Sequence, residues 1–275
     1  MRYEKDGRDI ILYQEDFDLD ETLDCGQAFR WQKDSTQKNV TYTGAYLNVP
    51  LVISQEGEGV FRLKDTDEDT FKSVWYGYFD LATDYGEIKS RLSSDSTMAN
   101  ACAYAGGIRL LRQDGWEALC SFIISQNNNI PRIKGIIGRL CEHFGGFPPY
   151  EKLADMTADE LMFLRAGFRS KYIIDAAKKL RSGEVDLERI KTAPLDSAQK
   201  ELMKICGVGP KVAQCALLYG MHRVEAFPVD VWIKRVLEMW YPQGLPKCCE
   251  GIEGIAQQYL FHYIRTGVTG VQNEK

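Results

Sequence analysis

The first part of the chain alternates between apolar and polar residues in short segments. Residues 40–44, 51–54 and 60–63 follow a two-residue period, and polar residues or glycines separate them, as expected for an antiparallel sheet. Apolar residues then recur at helical spacing over residues 68–79, which predicts a helix that covers the sheet. We therefore predict an N-terminal α+β domain over residues 1–95, with about four or five strands that begin after residue 25.

From about residue 96 the apolar positions keep a helical period. The interruptions are short and rich in asparagine, glycine or proline, as in residues 125–129 and 145–149, and such runs are typical of loops between helices. We predict a helical domain over residues 96–275. The expected fold class is α+β, with an antiparallel sheet domain and its covering helix followed by an all-α domain.

A helix–turn–helix pattern lies within residues 202–218. Apolar residues at helical spacing flank Gly207-Val208-Gly209, so a tight turn joins two helices. The two glycines have no Cβ, so they can adopt positive φ and allow another backbone to approach closely. Pro210 suits the start of the second helix, whose first amides are a natural seat for a phosphate. The pattern predicts a hairpin that contacts a nucleic-acid backbone.

Lys211 lies in the first turn of this second helix. A cation there is at the unfavourable end of the helix dipole, so its charged form is disfavoured and its amine is available as a nucleophile. A solvated lysine or a phosphate contact is the ordinary alternative. Asp230 follows nineteen residues later within Pro-Val-Asp-Val, where it can cap a helix that begins near Val231. The two segments together are far more specific than either alone.

The net charge of −5 is only weak evidence against a nucleic-acid partner, because the charges are unevenly distributed. Residues 1–100 contain 11 Lys and Arg against 20 Asp and Glu, whereas residues 101–275 contain 23 against 19. The basic excess therefore lies in the half that contains the hairpin. DNA binding needs only a local basic face.

The eight cysteines are scattered along the chain. They do not form the spaced set of four that an iron–sulfur cluster or a structural zinc needs, and Cys120, Cys141 and Cys215 lie in apolar helical patterns. We expect reduced thiols and no metal. No export signal or membrane-spanning run is visible, so we expect an intracellular protein, in the cytoplasm or nucleoid of a prokaryote.

The glycine turn with Lys211, followed by Asp230, resembles the 8-oxoguanine DNA glycosylase branch of the helix-hairpin-helix (HhH-GPD) superfamily of DNA glycosylases. Three further segments resemble that branch: Gly26-Gln27-Ala28-Phe29-Arg30-Trp31, Asn127-Asn128-Asn129-Ile130-Pro131-Arg132 and Ala256-Gln257-Gln258-Tyr259-Leu260-Phe261. The resemblance covers roughly residues 20–265. Three positions depart from the family pattern, and these are Pro131, Gln214 and Trp232.

The resemblance implies a set of residues that bind the damaged base. The backbone carbonyl of Gly26 would accept a hydrogen bond from N7–H of 8-oxoguanine. Guanine has no hydrogen at N7, so the unpaired acceptor would reject it by about 1–3 kcal/mol. Gln257 would bind the Watson–Crick edge of the extruded base, with Phe261 on one face and Cys215 on the other.

A second implied set would act on the opposite strand. Asn127 and Arg132 would address the orphaned cytosine, Phe168 would be a wedge, and Arg169 would be a second reader of that cytosine. Two guanidinium groups suit the O2 and N3 acceptors of cytosine. Taken alone, the asparagine run is an ordinary loop between helices.

The implied activity is excision of 8-oxoguanine from double-stranded DNA, preferentially opposite cytosine, by a monomer that needs no cofactor. Extrusion of the nucleotide would expose C1′, Lys211 would attack it, and Asp230 would stabilise the charge on the sugar. The resulting Schiff base would undergo β-elimination. Two alternatives are open: a monofunctional alkylbase glycosylase, which would not need Lys211, and a non-catalytic helix-hairpin-helix DNA-binding protein.

Overall fold

A computed structural model describes residues 2–267, in which an antiparallel sheet is followed by helices. Residues 268–275 of the predicted helical domain lie outside the described residues. The sheet has the strand order β1-β2-β6-β5-β4-β3, and every neighbouring pair is antiparallel. The strands are β1 (Arg2–Asp6), β2 (Asp9–Tyr13), β3 (Gln32–Lys33), β4 (Val40–Tyr46), β5 (Val49–Gly57) and β6 (Val60–Lys64).

The first two strands correct the prediction of four or five strands that begin after residue 25. β1 is an exposed edge strand rich in charged residues, and β2 contributes an apolar run of only three residues, so neither shows a long alternation. A two-residue turn joins the paired Asp6 and Asp9, with Gly7 at a φ of 63°. A glycine in that conformation is a signal of a two-residue hairpin. The sheet therefore has six strands.

The rest of the described chain is mostly helical. The α-helices are α1 (Leu19–Leu23), α2 (Glu68–Thr70), α3 (Tyr76–Tyr78), α4 (Tyr85–Leu92), α5 (Ser96–Tyr104), α6 (Gly115–Ser125), α7 (Ile130–Phe144), α8 (Tyr150–Ala154), α9 (Arg169–Ser182), α10 (Leu187–Thr192), α11 (Leu195–Leu202), α12 (Pro210–Cys215), α13 (Val231–Met239) and α14 (Glu253–His262). The π-helical segments are Phe71–Trp75, Ala216–Gly220 and Tyr263–Gly267, and the 3-10 turns are Met162–Leu164 and Lys247–Cys249.

Two hydrophobic cores account for this architecture. One face of the sheet packs against the covering helical segment, and the buried residues there include Leu12, Ile53, Phe61, Phe71 and Trp75. A larger core lies among the helices that follow. The predicted α+β class, with a sheet and covering helix followed by helices, is confirmed.

The predicted boundary near residue 95 stays a prediction. Tyr85 and Leu92, which precede it, are buried in the helical core, and so is Phe29 from the segment before β3. Leu111, which follows the boundary, is buried in the core of the sheet. Each core therefore contains residues from both sides of the predicted boundary.

Arg109 is the polar residue that joins the two cores. Its side chain is fully buried, and its guanidinium donates to the carbonyl oxygens of Phe79 (3.2 Å), Asp16 (3.0 Å) and Asp80 (2.7 Å). It also donates to the carbonyls of Glu15 (3.5 Å) and Thr83 (2.8 Å). Five guanidinium donors thus meet five backbone acceptors, which is the full hydrogen-bonding capacity of the group.

We expect Arg109→Met to lower the free energy of unfolding by on the order of 3–5 kcal/mol, because several buried carbonyls would lose their donor. Urea unfolding followed by circular dichroism measures this. The matched control is Arg8→Met, since the Arg8 side chain is 86% exposed and its ion pair is with the exposed Asp65. Arg8→Met should lower the free energy of unfolding by less than about 1 kcal/mol. Equal losses in the two variants would contradict the role of Arg109.

Candidate active site

The predicted helix–turn–helix is formed by α11, the turn over residues 203–209, and α12. Gly207 has a φ of 75°, which only glycine adopts readily. A Cβ at this residue would also lie 2.3 Å from the ring of Tyr172, so a side chain, not another backbone, makes the close approach. Gly209 has an extended backbone, with a φ of −91°. The suggestion of positive φ is therefore confirmed at Gly207 and wrong at Gly209.

The start of α12 faces open space. Gly209 is its N-cap residue and supplies no side-chain cap, and Pro210 follows it in the first turn, as predicted. A Cβ added at Gly209 would meet no atom within 4 Å among the described residues. Val208 is buried and anchors the turn in the helical core. The first amides of α12 are thus placed to bind an anion such as a phosphate.

Lys211, Cys215 and Asp230 form an electrostatic cluster beside this turn. Lys211 is exposed, and Cys215 lies one helical turn further along α12, on the same face. Burial raises the pKa of the Cys215 thiol to about 12, while the charge of Lys211 lowers it and that of Asp230 raises it. The thiol is therefore neutral, and both predicted catalytic residues lie near it.

Asp230 caps α13, as predicted. Its Oδ1 atom accepts hydrogen bonds from the backbone N–H groups of Trp232 (3.0 Å) and Ile233 (2.9 Å). Gln214 fastens the segment before Asp230 to α12, because its side-chain oxygen accepts from the backbone N–H of Phe227 at 2.9 Å. The cap and the Gln214–Phe227 hydrogen bond together hold the Asp230 carboxylate in place relative to α12, the helix that carries Lys211.

The predicted base-binding residues of α14 lie on a helix with a polar, buried face. Gln257 is 4% exposed, and Phe261 lies one turn further along the same face. The hydroxyl of Tyr219 lies within hydrogen-bonding distance of two side-chain oxygens, that of Gln258 at 2.9 Å and that of Gln257 at 3.3 Å. Burial raises the pKa of the Tyr219 hydroxyl well above its usual range, and the negative charge of Asp230 acts in the same direction, so this group lies near the hairpin cluster.

Gly26 has a φ of 90°, and a Cβ at this residue would lie 3.7 Å from the side chain of Ile130. The preceding residue, Cys25, accepts a hydrogen bond from the side-chain nitrogen of Gln258 at 3.4 Å. The side chain of Gln27 donates to the carbonyl of Arg109 at 2.8 Å. Gly26 therefore lies between two anchored neighbours, close to both α7 and α14.

The asparagine segment is a short connection between α6 and α7. Asn127 is exposed, with a φ of 46°, and Asn129 caps α7 by accepting from the N–H of Arg132 at 3.0 Å. Pro131 lies in the first helical turn, where proline is well tolerated. The predicted loop is confirmed, but Arg132 is exposed on the first turn of α7 because the helix begins at Ile130.

Arg169 binds the backbone of this loop. Its side chain is buried, and its guanidinium donates to the carbonyls of Gln126 (2.9 Å), Ala166 (3.1 Å) and Asn127 (3.1 Å). Burial lowers its pKa, and the positive charge of Arg132 acts in the same direction. Phe168, by contrast, is 47% exposed. The structure thus brings the predicted opposite-strand residues together, with the donors of Arg169 occupied by backbone carbonyls of the loop and of Ala166.

Two buried residues of the site were missed in the sequence. Tyr219 stacks on Phe122, with ring centroids 4.9 Å apart, and its helical spacing is that of a core residue. Gln258 stands next to Gln257 in a segment that is otherwise mostly apolar. A polar residue within a buried helical pattern was the available signal, since such a side chain needs a partner.

Within residues 2–267, no three His, Cys, Asp or Glu side chains come together as a metal site would need. The eight cysteines are all free thiols. None of the described helices is long and apolar enough to span a bilayer.

The sheet, the helices and the hairpin with its lysine and aspartate define a helix-hairpin-helix DNA glycosylase. Residues 9–119 match the family described as 8-oxoguanine DNA glycosylase, N-terminal domain, and residues 120–245 match the HhH-GPD superfamily of base excision DNA repair proteins. A Saccharomyces cerevisiae protein named N-glycosylase/DNA lyase is 32% identical in an alignment of 264 positions that covers 84% of this chain and 70% of the yeast protein.

Solved structures agree with this assignment. Clostridium acetobutylicum 8-oxoguanine glycosylase/lyase in complex with dsDNA containing cytosine opposite 8-oxoG superposes with a TM-score of 0.88 and 35% identity, covering 97% of this chain and 98% of that chain. MBOgg1 in complex with a low affinity DNA ligand gives a TM-score of 0.88 and 39% identity, covering 96% and 99%. The chain belongs to the 8-oxoguanine DNA glycosylase family of the HhH-GPD superfamily.

Proposed function

We propose that the protein is a bifunctional DNA repair enzyme that excises 8-oxoguanine from duplex DNA and cleaves the strand at the resulting abasic site. The observation that carries this proposal is the cluster of Lys211, Cys215 and Asp230 at the open end of α12. An exposed primary amine next to a helix start that binds phosphate is placed to attack the sugar of a nucleotide bound there. The enzyme acts as a monomer.

Recognition of the base falls to Gly26, Gln257, Phe261 and Cys215. The Gly26 carbonyl accepts from N7–H, which distinguishes 8-oxoguanine from guanine. Gln257 binds the Watson–Crick edge, and the ring of Phe261 and the thiol of Cys215 enclose the two faces of the base. The neutral state of the Cys215 thiol supports this role, because a thiolate would repel the electron-rich faces of a purine.

The chemistry proceeds in two steps. The unprotonated Nζ of Lys211 attacks C1′, the C1′–N9 bond breaks, and the base leaves with the bonding electrons and takes up a proton. The attached nitrogen then loses a proton, the C1′–O4′ bond breaks as O4′ takes up a proton, and the sugar ring opens to leave a protonated Schiff base between Nζ and C1′. Removal of a proton from C2′ expels the 3′ phosphate, so the C3′–O bond breaks and the strand is cut. The carboxylate of Asp230 stabilises the positive charge that develops on the sugar as the base departs.

The opposite strand is read by the loop between α6 and α7. Asn127 in this loop and Arg132 in the first turn of α7 are exposed, and the exposed ring of Phe168 acts as the wedge. Arg169 reads cytosine by exchanging the carbonyls of Gln126 and Asn127 for the acceptors of the base. Reading of the opposite base is therefore coupled to the conformation of this loop.

Lys211→Gln should abolish both excision and the covalent adduct trapped by borohydride, while duplex binding stays within about threefold, because the glutamine amide is not a nucleophile. The measurement is borohydride trapping on a duplex with 8-oxoguanine opposite cytosine. Lys200→Gln, an exposed lysine on α11, is the matched control and should trap like the parent. Full trapping by the Lys211 variant would mean that another amine is the nucleophile.

Asp230→Asn should keep the fold, because asparagine retains the Oδ1 acceptor for the amides of Trp232 and Ile233. The single-turnover rate should fall by about 100-fold or more, since the charge that stabilises the transition state is lost. Asp196→Asn, in the first turn of α11, controls for removal of a carboxylate near the hairpin. Equal rates for the Asp230 variant and the parent would reduce Asp230 to a helix cap.

Arg132→Ala and Arg169→Ala should each slow excision opposite cytosine more than excision opposite adenine, by about 10-fold in the ratio of the two rates. Adenine presents its N6 amino donor to the guanidinium donors, so removal of the arginine should change excision opposite adenine little. Single-turnover excision from duplexes that differ only in the opposite base measures the ratio. Lys171→Ala, an exposed cation on α9, should lower both rates alike. A uniform loss in the arginine variants would make these residues phosphate contacts.

A further inference from the structure

Gln258 is a buried amide that the proposed chemistry does not use. It is 2% exposed and follows Gln257 directly on α14. A buried amide without partners is destabilising by about 1–3 kcal/mol, yet both hydrogen-bonding ends of this side chain are occupied. Its oxygen accepts from the hydroxyl of Tyr219 at 2.9 Å, and its nitrogen donates to the sulfur of Cys25 at 3.4 Å.

The side-chain oxygens of Gln257 and Gln258 compete for one hydrogen-bond donor, the hydroxyl of Tyr219. The hydroxyl of Tyr219 carries a single hydrogen, and burial raises its pKa well above the usual range, so it stays protonated. It lies 2.9 Å from the Gln258 oxygen but 3.3 Å from the Gln257 oxygen. The shorter bond is the stronger one, so Gln258 is the principal acceptor.

Cys25 fixes Gln258 in the orientation that this bond requires. Burial raises the pKa of the Cys25 thiol to about 11, and the thiol donates to the carbonyl of Thr22 at 3.3 Å. Its sulfur accepts from the side-chain nitrogens of both Gln27 and Gln258. Because the nitrogen of Gln258 is held there, its oxygen points to Tyr219.

The hydrogen bond from Tyr219 to Gln258 affects what the oxygen of the neighbouring Gln257 can bind. The Watson–Crick edge of 8-oxoguanine presents two adjacent donors, N1–H and the N2 amino group, which can converge on one carbonyl oxygen. That oxygen has two lone pairs, so two donors from the base use its full capacity. A third donor from Tyr219 would compete with the base for the Gln257 oxygen.

We propose that Gln258 is a positioning residue for base recognition, because it binds the Tyr219 hydroxyl and so leaves the Gln257 oxygen free for the extruded base. This role rests on the proposed function of Gln257. The network also reaches Gly26 through its neighbour Cys25, so the two groups that recognise the purine share one buried support. Gln258 itself does not touch the base.

The test compares a reaction that needs the base with one that does not. In Gln258→Met, which has a similar volume but no acceptor for the hydroxyl, Tyr219 donates to Gln257 instead. Single-turnover excision of 8-oxoguanine should slow about 10-fold. Borohydride trapping on a duplex with a preformed abasic site should stay within about twofold of the parent, because that substrate has no base to bind. Equal losses in the two assays would mean a general structural defect and would overturn the proposal.

A second substitution separates proton competition from packing. Adding Tyr219→Phe to Gln258→Met removes the competing donor, so excision should recover to within about threefold of the parent. No recovery would overturn the proposal. If the methionine variant does not fold, as judged by its melting temperature, Gln258→Leu takes its place in both comparisons with the same expectations.

The same two assays on the parent protein separate a failure of this proposal from a failure of the function on which it rests. A parent that neither excises 8-oxoguanine nor traps on an abasic duplex would overturn the proposed function, and the role of Gln258 with it. A parent that does both, with Gln258→Met excising at the same rate, would overturn only the role of Gln258.

Discussion

One buried guanidinium connects the sheet to the helices and, through them, to the site. Arg109 donates to five backbone carbonyls, and its own carbonyl accepts from the side chain of Gln27 at 2.8 Å. Gln27 in turn accepts from the N–H of Leu111 at 2.9 Å. Gly26, the group proposed to recognise N7–H, is thus held by the same network that joins the two cores. Buried polar groups of this kind specify one arrangement because each alternative leaves some of them unpaired.

The two residues proposed to be catalytic lie at helix starts, where the backbone offers donors that no helical carbonyl satisfies. Gly209 leaves the first turn of α12 uncapped by a side chain, and Lys211 stands beside it. Asp230 satisfies the amides of α13 with one oxygen, and Asn129 does the same for α7 beside the loop proposed to read the opposite base. Local helix chemistry therefore sets the positions of Lys211 and Asp230, which are proposed to act on the sugar, and of the loop before α7.

The candidate site combines exposed side chains with a buried polar support. Lys211, Asn127 and Phe168 are exposed, as their proposed contacts with a large substrate require. Tyr219 and Gln258 are buried, and each is hydrogen-bonded. Such a division keeps the recognition groups in a defined geometry before the substrate arrives, which reduces the ordering needed upon binding.

The sequence by itself determined the hairpin, the cap at Asp230 and the covering helix, because these depend on residues close together in the chain. The tertiary structure alone decided the role of Arg109, the buried position of Arg169 and the bond between Cys25 and Gln258. Those two residues are 233 positions apart. Periodicity, glycines and capping residues act over a few residues, whereas a buried donor finds its acceptor only after the chain has folded.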